Sequence, residues 1–378
     1  MAQVTIIVPT YNTEKYISRC IDSVMKQTCQ DFQLIILDGG SKDNTISRCL
    51  KYTENDNRVI VVNQKGLSLG GARNLGIKMA ETDYVTFLDS DDWWSEDYLD
   101  SMLKGTENGN NDVVLCDINF VNEFDIDSYE SNISALRLPA GKVNFSRLDN
   151  ALGRCRTFAW GKLYRRSLFQ DFEILEPHHP YEDVATTPYL LVKAKSIYHI
   201  PKALYFYVRN RQGSGVHSFD QLYYLPKSLE KLFSKFKEDN TFSFNYEDLR
   251  SLCWGQFCFL QRTIKNRFST VSTLEKNQVI NSMEKITFAN FPELSKVSKA
   301  TFCIYNNLPL FLEAVKHVVF DENKITSENA DFVIVEENDI INQNPECDII
   351  RVATPKDSLD DKETASWNLA DEIFQKLF

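Results

Sequence analysis

Short apolar runs alternate with longer amphipathic ones through the first half of the chain, and that alternation constrains the fold more than any other feature. Residues 4–8, 32–37, 59–63 and 84–88 have the length and content of buried strands, and residues 13–26, 44–52, 69–79 and 95–103 read as helices. Strands of about five residues joined through helices of about ten return parallel to one another by right-handed crossovers. The expected class is α/β: a Rossmann-like, mostly parallel sheet with flanking helices. In such a sheet ligands bind at the carboxyl ends of the strands, where the polar motifs of this half fall.

Residues 112–119 extend the pattern as a further strand, and the polar, poorly periodic stretch 122–143 reads as a loop or an excursion of short strands. Residues 154–166 and 181–193 read as strand and helix pieces. From Phe219 the texture changes: residues 222–236, 246–265 and 274–286 carry apolar side chains at helical spacing. Residues 330–335 and 348–352 read as two strands, followed by a closing helix over 366–378. The expected division is a catalytic domain over 1–220 and a mainly helical accessory domain over 221–378.

The formal net charge of −11 at pH 7 argues against nonspecific binding to nucleic acid or anionic membrane. No apolar run approaches a membrane span, and the N-terminus enters a strand at once, which leaves no room for a signal peptide. At most peripheral membrane contact is expected. The nine cysteines are scattered without metal or redox spacing, which fits a reducing, cytoplasmic compartment.

The residues that suggest chemistry sit where strands end. Val8-Pro9-Thr10-Tyr11-Asn12 closes the first strand; the proline is expected to end ladder pairing and leave Tyr11 facing a ligand, or packing the sheet's end. Asp38-Gly39-Gly40-Ser41-Lys42-Asp43 closes the second, and a carboxylate there can accept from a base N–H or a ribose hydroxyl. In Gly66–Gly76 small residues let backbone approach a ligand at a helix start, and Arg73 is shaped for a base carbonyl or diphosphate oxygens. Asp89-Ser90-Asp91-Asp92 follows the fourth strand. Its carboxylates can hold Mg²⁺ or Mn²⁺, or form an acidic turn in which Asp92 or Ser95 caps the next helix. Glu182-Asp183 opens a later helix, as a second acidic pair or as its cap.

These motifs, in this order and spacing, resemble the family 2 glycosyltransferases: inverting, nucleotide-sugar-dependent enzymes of the GT-A fold, here of the bacterial glycan and glycoprotein type. The likeness continues through Ala159-Trp160-Gly161-Lys162-Leu163-Tyr164, Tyr181-Glu182-Asp183-Val184 and Arg209-Asn210-Arg211-Gln212-Gly213-Ser214. The resemblance implies a uridine pocket lined by Pro9, Tyr11 and Asp38, with Arg73 on the base or diphosphate. It implies that Asp89, with Ser90, faces the ribose or donor sugar, and that Asp91 ligates Mn²⁺ or Mg²⁺ with Asp89 beside it. His217 is a further metal or diphosphate ligand on the same grounds. Asp183 becomes the catalytic base, Glu182 its orienting partner, and Arg209, Arg211 and Ser214 a loop over the diphosphate. One departure stands out: Gly39 occupies the position of the family's second aspartate. Asp92 is expected to return to capping. Of Trp93 and Trp94, one is expected to contact sugar.

The implied reaction moves a hexose from UDP-galactose, UDP-glucose or UDP-N-acetylglucosamine to a lipid-linked glycan, a wall polymer or a glycoprotein. Two competing readings are a catalytically silent sugar-nucleotide or glycan-binding module and a nucleotidyltransferase. The latter would need a basic glycine-rich loop where this chain has Pro9-Thr10-Tyr11-Asn12. The region 221–378 is expected to shape the acceptor site or to form a homodimer contact.

Overall fold

A computed structural model describes residues 2–54, 56–123, 125–132, 138–145, 148, 151–170, 172–174, 180–209, 218–297, 302–304, 332–336 and 348–352. Of 125–132 and of everything beyond 295 it describes the backbone alone. The chain divides into two compact units, one formed mainly by Met1–Arg147 and Arg154–His217, the other mainly by Ser218–Phe233 and Lys237–Phe378.

In the first unit β1 (Val4–Thr10), α1 (Ile17–Met25), β2 (Phe32–Asp38), α2 (Thr45–Thr53), β3 (Val59–Asn63), α3 (Leu69–Met79) and β4 (Tyr84–Phe87) alternate as the apolar runs predict. The strands β1, β2, β3 and β4 pair in parallel, and β1 is buried along its whole length, as a strand covered on both faces must be. The helix expected over 13–26 starts only at Ile17. Thr13 is held outside it, with its hydroxyl on that of Thr10 at 2.6 Å and its N–H on the Thr45 hydroxyl at 2.8 Å.

Beyond β4 the sheet becomes mixed. The remaining elements are β5 (Trp93–Trp94), α4 (Tyr98–Gly105), β6 (Val113–Asn122), β7 (Asp125–Asn132), β8 (Gly141–Val143), α5 (Ala151–Arg154, all but Arg154 of it in the second unit), β9 (Lys162–Arg165), α6 (Glu182–Lys193) and β10 (Ile197–Arg209). The strand order is β3-β2-β1-β4-β9-β6-β10-β5, with β7 on β6 and β8 on β10. Strand β9 runs antiparallel between β4 and β6, while β10 returns parallel to β6. The polar stretch 122–143 thus supplies short strands.

Register places the motifs together. Thr10 lies beside Asp38 and Asp38 beside Asn63, so three strands end level. Leu88 N–H reaches Ile7 carbonyl at 3.1 Å, which carries the chain past β4 to Asp89 on the same edge. Pairing continues through Pro9, opposite Leu37, contrary to the expectation that the proline ends it. Backbone groups alternate sides along a strand, so Pro9 shares the β4-facing side of Ile7. Pairing with β4 has already stopped at Phe87, and the missing N–H costs no ladder bond.

The second unit contains helices α7 (Tyr224–Glu238, which also passes through the first unit), α8 (Tyr246–Arg267), α9 (Thr273–Asn290) and α10 (Leu294–Val297). Helices α8 and α9 meet through Cys253 and Thr287 and through the rings of Phe257 and Phe288. A parallel three-stranded sheet, β11 (Phe302–Ile304), β12 (Phe332–Glu336) and β13 (Asp348–Val352), follows. Strand β11 is additional to the two strands expected there, and the helix expected over 366–378 lies outside the described residues. Among the described residues no helix is long and apolar enough to cross a membrane, and no disulfide joins the described cysteines.

Helix α3 lies against β1 at Gly76, where an added Cβ would stand 2.6 Å from Ile7 Cγ2. Gly76→Ala is therefore expected to destabilise the fold by about 1–3 kcal/mol, the usual cost of overpacking. A urea midpoint equal to that of the wild type would contradict that close approach.

Candidate active site

The turns after β1 and β2 are stitched to each other. Asn12, in the left-handed region at φ 52°, donates its N–H to Ser41 Oγ and accepts from Lys42 N–H, each at 2.8 Å. Asp38 is fully buried, and its carboxylate accepts from the N–H groups of Gly40 and Ser41 at 3.0 Å and from the Ser41 hydroxyl. In this structure Asp38 therefore holds the turn that faces the strand ends. Tyr11 stands out from it with 54% of its surface exposed.

Gly39 has a physical reason. A Cβ there would lie 2.8 Å from the Leu67 carbonyl oxygen, because Gln64 N–H bonds Asp38 carbonyl and Gly66 N–H bonds Gly39 carbonyl. The segment 64–67 occupies the space a side chain at 39 would need.

Helix α3 begins at Ser68, whose hydroxyl accepts from Gly71 N–H at 3.0 Å. Gly70, Gly71 and Ala72 of its first turn are small and buried, which sinks Arg73 to 2% exposure. The Arg73 guanidinium pairs with Asp89 at 2.9 Å through one Nη and with Glu182 through the other. Those carboxylates are the partners of Arg73 within the chain. One cation thus joins α3, the end of β4 and the start of α6.

Glu182 and Asp183 open α6 after Tyr181, which takes a left-handed φ of 67° that a tyrosine rarely adopts. Burial raises the Glu182 carboxyl, and the Arg73 charge opposes that rise. Burial, then the charge of Glu182, pushes Asp183 up to about 7, against the pull of Arg73. Of the two, Glu182 is held by the guanidinium, whereas Asp183 accepts the Val184 N–H at 2.8 Å.

The acidic turn is anchored from its far end. Asp92, expected as a helix cap, is fully buried and accepts from the Tyr205 hydroxyl and from Val208 N–H, each at 2.8 Å. That expectation is corrected, as is Ser95: α4 begins at Tyr98 after Asp97. The same Tyr205 hydroxyl accepts from Asp89 N–H at 3.2 Å, so one side chain of β10 fixes both ends of the motif. Burial, with the charges of Asp91 and Asp89, holds the Asp92 carboxyl well above the usual carboxylate range. Ser90 and Asp91 are buried between them, and Arg19 donates to the Asp91 carbonyl at 3.0 Å. Among the described residues no three His, Cys, Asp or Glu side chains converge on a ready cation site.

Trp94 is core, stacked on Tyr98 at 4.0 Å, while Trp93 packs against Phe206 at 5.1 Å and under the Arg19 guanidinium at 3.9 Å. Arg209, at the exposed end of β10, lies 3.5 Å over the Phe120 ring. Arg211, Ser214 and His217 fall outside the described residues, as do His178 and His179. The structure adds Tyr205 to the site; in sequence it is one aromatic among several in a strand, and nothing marks it.

Strand-end turns, a buried Arg–carboxylate network and an acidic motif after β4 gather at the carboxyl edge of the parallel strands, where sheets of this kind bind ligands. Residues 5–172 match the model for glycosyl transferase family 2, and this segment belongs to that family. Putative glycosyltransferase EpsH of Bacillus subtilis (strain 168) is 35% identical over 178 residues, which are 46% of this chain and 50% of EpsH. Glycosyltransferase GlyA of Streptococcus pneumoniae is 30% identical over 218 residues, 56% of this chain and 31% of GlyA. The chain thus spans half or less of these curated relatives. The crystal structure of S. aureus TarS 1-349 in complex with UDP aligns with a TM-score of 0.58 at 24% identity, covering 79% of this chain and 83% of that one. That likeness shows the shared GT-A fold.

Replacing Arg73 with methionine leaves Glu182 buried, and the half-buried Asp89 beside it, without their counter-charge. The expected loss is about 3–5 kcal/mol, the cost of removing one partner from a buried ion pair. Urea denaturation at neutral pH measures it, and a loss below 1 kcal/mol would rule out Arg73 as the clamp of this network.

Proposed function

We propose that the chain is an inverting, metal-dependent glycosyltransferase that moves a hexose from a UDP-sugar to a glycan hydroxyl by single displacement, in surface polysaccharide or adhesin glycoprotein biosynthesis. The observation that carries this reading is the Asp183 carboxyl, raised to about 7 and set beside a Glu182 that Arg73 ties to the acidic turn. A general base works best when its pKa lies near the operating pH. In the displacement the acceptor oxygen bonds the sugar's anomeric carbon as the bond to the diphosphate breaks. The electron pair leaves with UDP, and the acceptor's proton passes to the Asp183 carboxylate.

Tyr11 and Pro9 would line the uridine side, with Asp38 holding their turn in place. Asp89 and Ser90 would face the ribose or donor sugar. Asp91, with Asp89 and His217, would hold Mn²⁺ or Mg²⁺; carboxylate oxygens at a rigid strand end are the donors such ions prefer. When bound, the ion offsets charge building on the departing diphosphate. Arg209, Arg211 and Ser214 would cover that diphosphate, and Arg73 would act through the carboxylates it orders.

TarS of Staphylococcus aureus, 29% identical over 225 residues, is named a poly(ribitol-phosphate) beta-N-acetylglucosaminyltransferase. That name supports UDP-N-acetylglucosamine as the first donor to test, with UDP-glucose and UDP-galactose beside it, and a wall polymer as the first acceptor. Residues 1–220 would form the catalytic part, acting in the cytoplasm, and 221–378 an accessory part.

Asp183→Asn is expected to lower transfer by about 10²–10⁴-fold. UDP binding, measured by calorimetry with Mn²⁺, should persist. In the wild type the acid must be ionised to take a proton, so turnover should fall as pH drops through about 7. Near-normal transfer by Asp183→Asn in a panel of UDP-sugars would sink the assignment.

A further inference from the structure

Lys162, the first residue of β9, is one of the largest fully buried side chains of the protein. A lysine is almost never buried without a partner. Its ammonium donates to the Phe158 carbonyl at 2.7 Å, and among the described residues no carboxylate lies within ion-pair distance. The bond closes a tight loop entered through Arg156 at φ 53° and left through Gly161 at φ 67°. The loop's rings, Phe158 and Trp160, stack on each other at 4.4 Å, and Trp160 stacks at 4.4 Å on Tyr205, whose hydroxyl anchors the acidic turn. Ala159, in the same loop, and Tyr164, which bonds its carbonyl, line a small cavity with Arg73, Glu182 and Asp183. Lys162 also lies on the active edge, since Thr86 of β4 bonds its carbonyl at 2.9 Å.

We propose that Lys162 is a positioning residue for Asp183: a buried cation that fixes the loop 158–161 beside the acid and, with Arg73, keeps that acid ionised. The charged and titratable groups that act on the ammonium are Cys155 and Arg156 in the loop, Cys116 on β6 and Asp183 on α6. Those that act on Asp183 include Glu182, Arg73 and Asp89. Burial lowers Lys162 to about 8, and the Asp183 charge opposes that fall by favouring the ammonium. A cation favours the ionised carboxylate, so its removal should raise the Asp183 midpoint.

The inference rests on Asp183 as the base, and its test is separable from that reading. Aspartate ¹³C NMR of the full chain, with the Asp183 signal assigned by its loss in Asp183→Asn, follows the carboxyl directly, whether or not it is catalytic. In Lys162→Met the Asp183 midpoint should rise by about half a unit or more, and the acidic limb of kcat should rise with it, while UDP affinity stays within about twofold of wild type. Lys162→Arg, which keeps the charge, should restore the midpoint. Coupling is reciprocal, so the lysine signal absent from Lys162→Arg should titrate at lower pH in Asp183→Asn; this measurement decides if Lys162→Met does not fold. An Asp183 midpoint unmoved in a folded Lys162→Met, or a Lys162 midpoint unmoved in Asp183→Asn, overturns the proposal. A catalytically normal Asp183→Asn overturns the base assignment alone.

Discussion

The Arg73 guanidinium is the constraint on which the active edge depends. It lies buried between Asp89 and Glu182, the latter 109 residues away in sequence. Without a cation there, Asp89, Glu182 and Asp183 would repel one another in a medium that screens poorly. With it, three segments that the fold brings to one edge are locked by charge rather than by loop packing. The small residues Gly70, Gly71 and Ala72 let the helix start sink far enough for Arg73 to reach both acids.

A second anchor holds the other side of the acidic turn. Asp92 is an internal hydrogen-bond acceptor for β10, and Tyr205 ties it to the backbone of Asp89. The consecutive acids therefore have different fates. Asp92 is structural, Asp89 is ion-paired, and Asp91 is buried between them with its carbonyl on Arg19. The short antiparallel pairing of β5 with β10 brings this about, because it pulls the chain after Asp91 onto a strand formed more than a hundred residues later.

Much of this was legible in the sequence, and the limits have physical causes. Strands β1–β4 were readable because each is an apolar run bounded by turn residues and a helix. Strand β5 was not, since two residues carry no periodicity and its pairing is set by a distant partner, and β9 was readable only as part of the undivided piece 154–166. The acids of the site were visible as strand-end motifs. Their partners were not: Arg73 looked like a ligand-facing side chain and Asp92 like a helix cap, and nothing in the motif that holds Lys162 marked it as a fully buried cation. Burial decided each, and burial is a property of the folded edge.

The same partnering bears on which acid of the Glu182-Asp183 pair can serve as base. A carboxylate already neutralised by a guanidinium gains little from a proton, because protonation gives up the ion pair. Glu182 is in that position, and its charged form is held by Arg73. Asp183 carries the same burial and feels the Glu182 charge, yet has no cation in direct contact among the described residues. Its ionised form is therefore the less satisfied of the two and the readier to accept a proton. On the proposed mechanism one acid of the pair orders the site and the other takes the proton, with the difference set by which of them Arg73 touches.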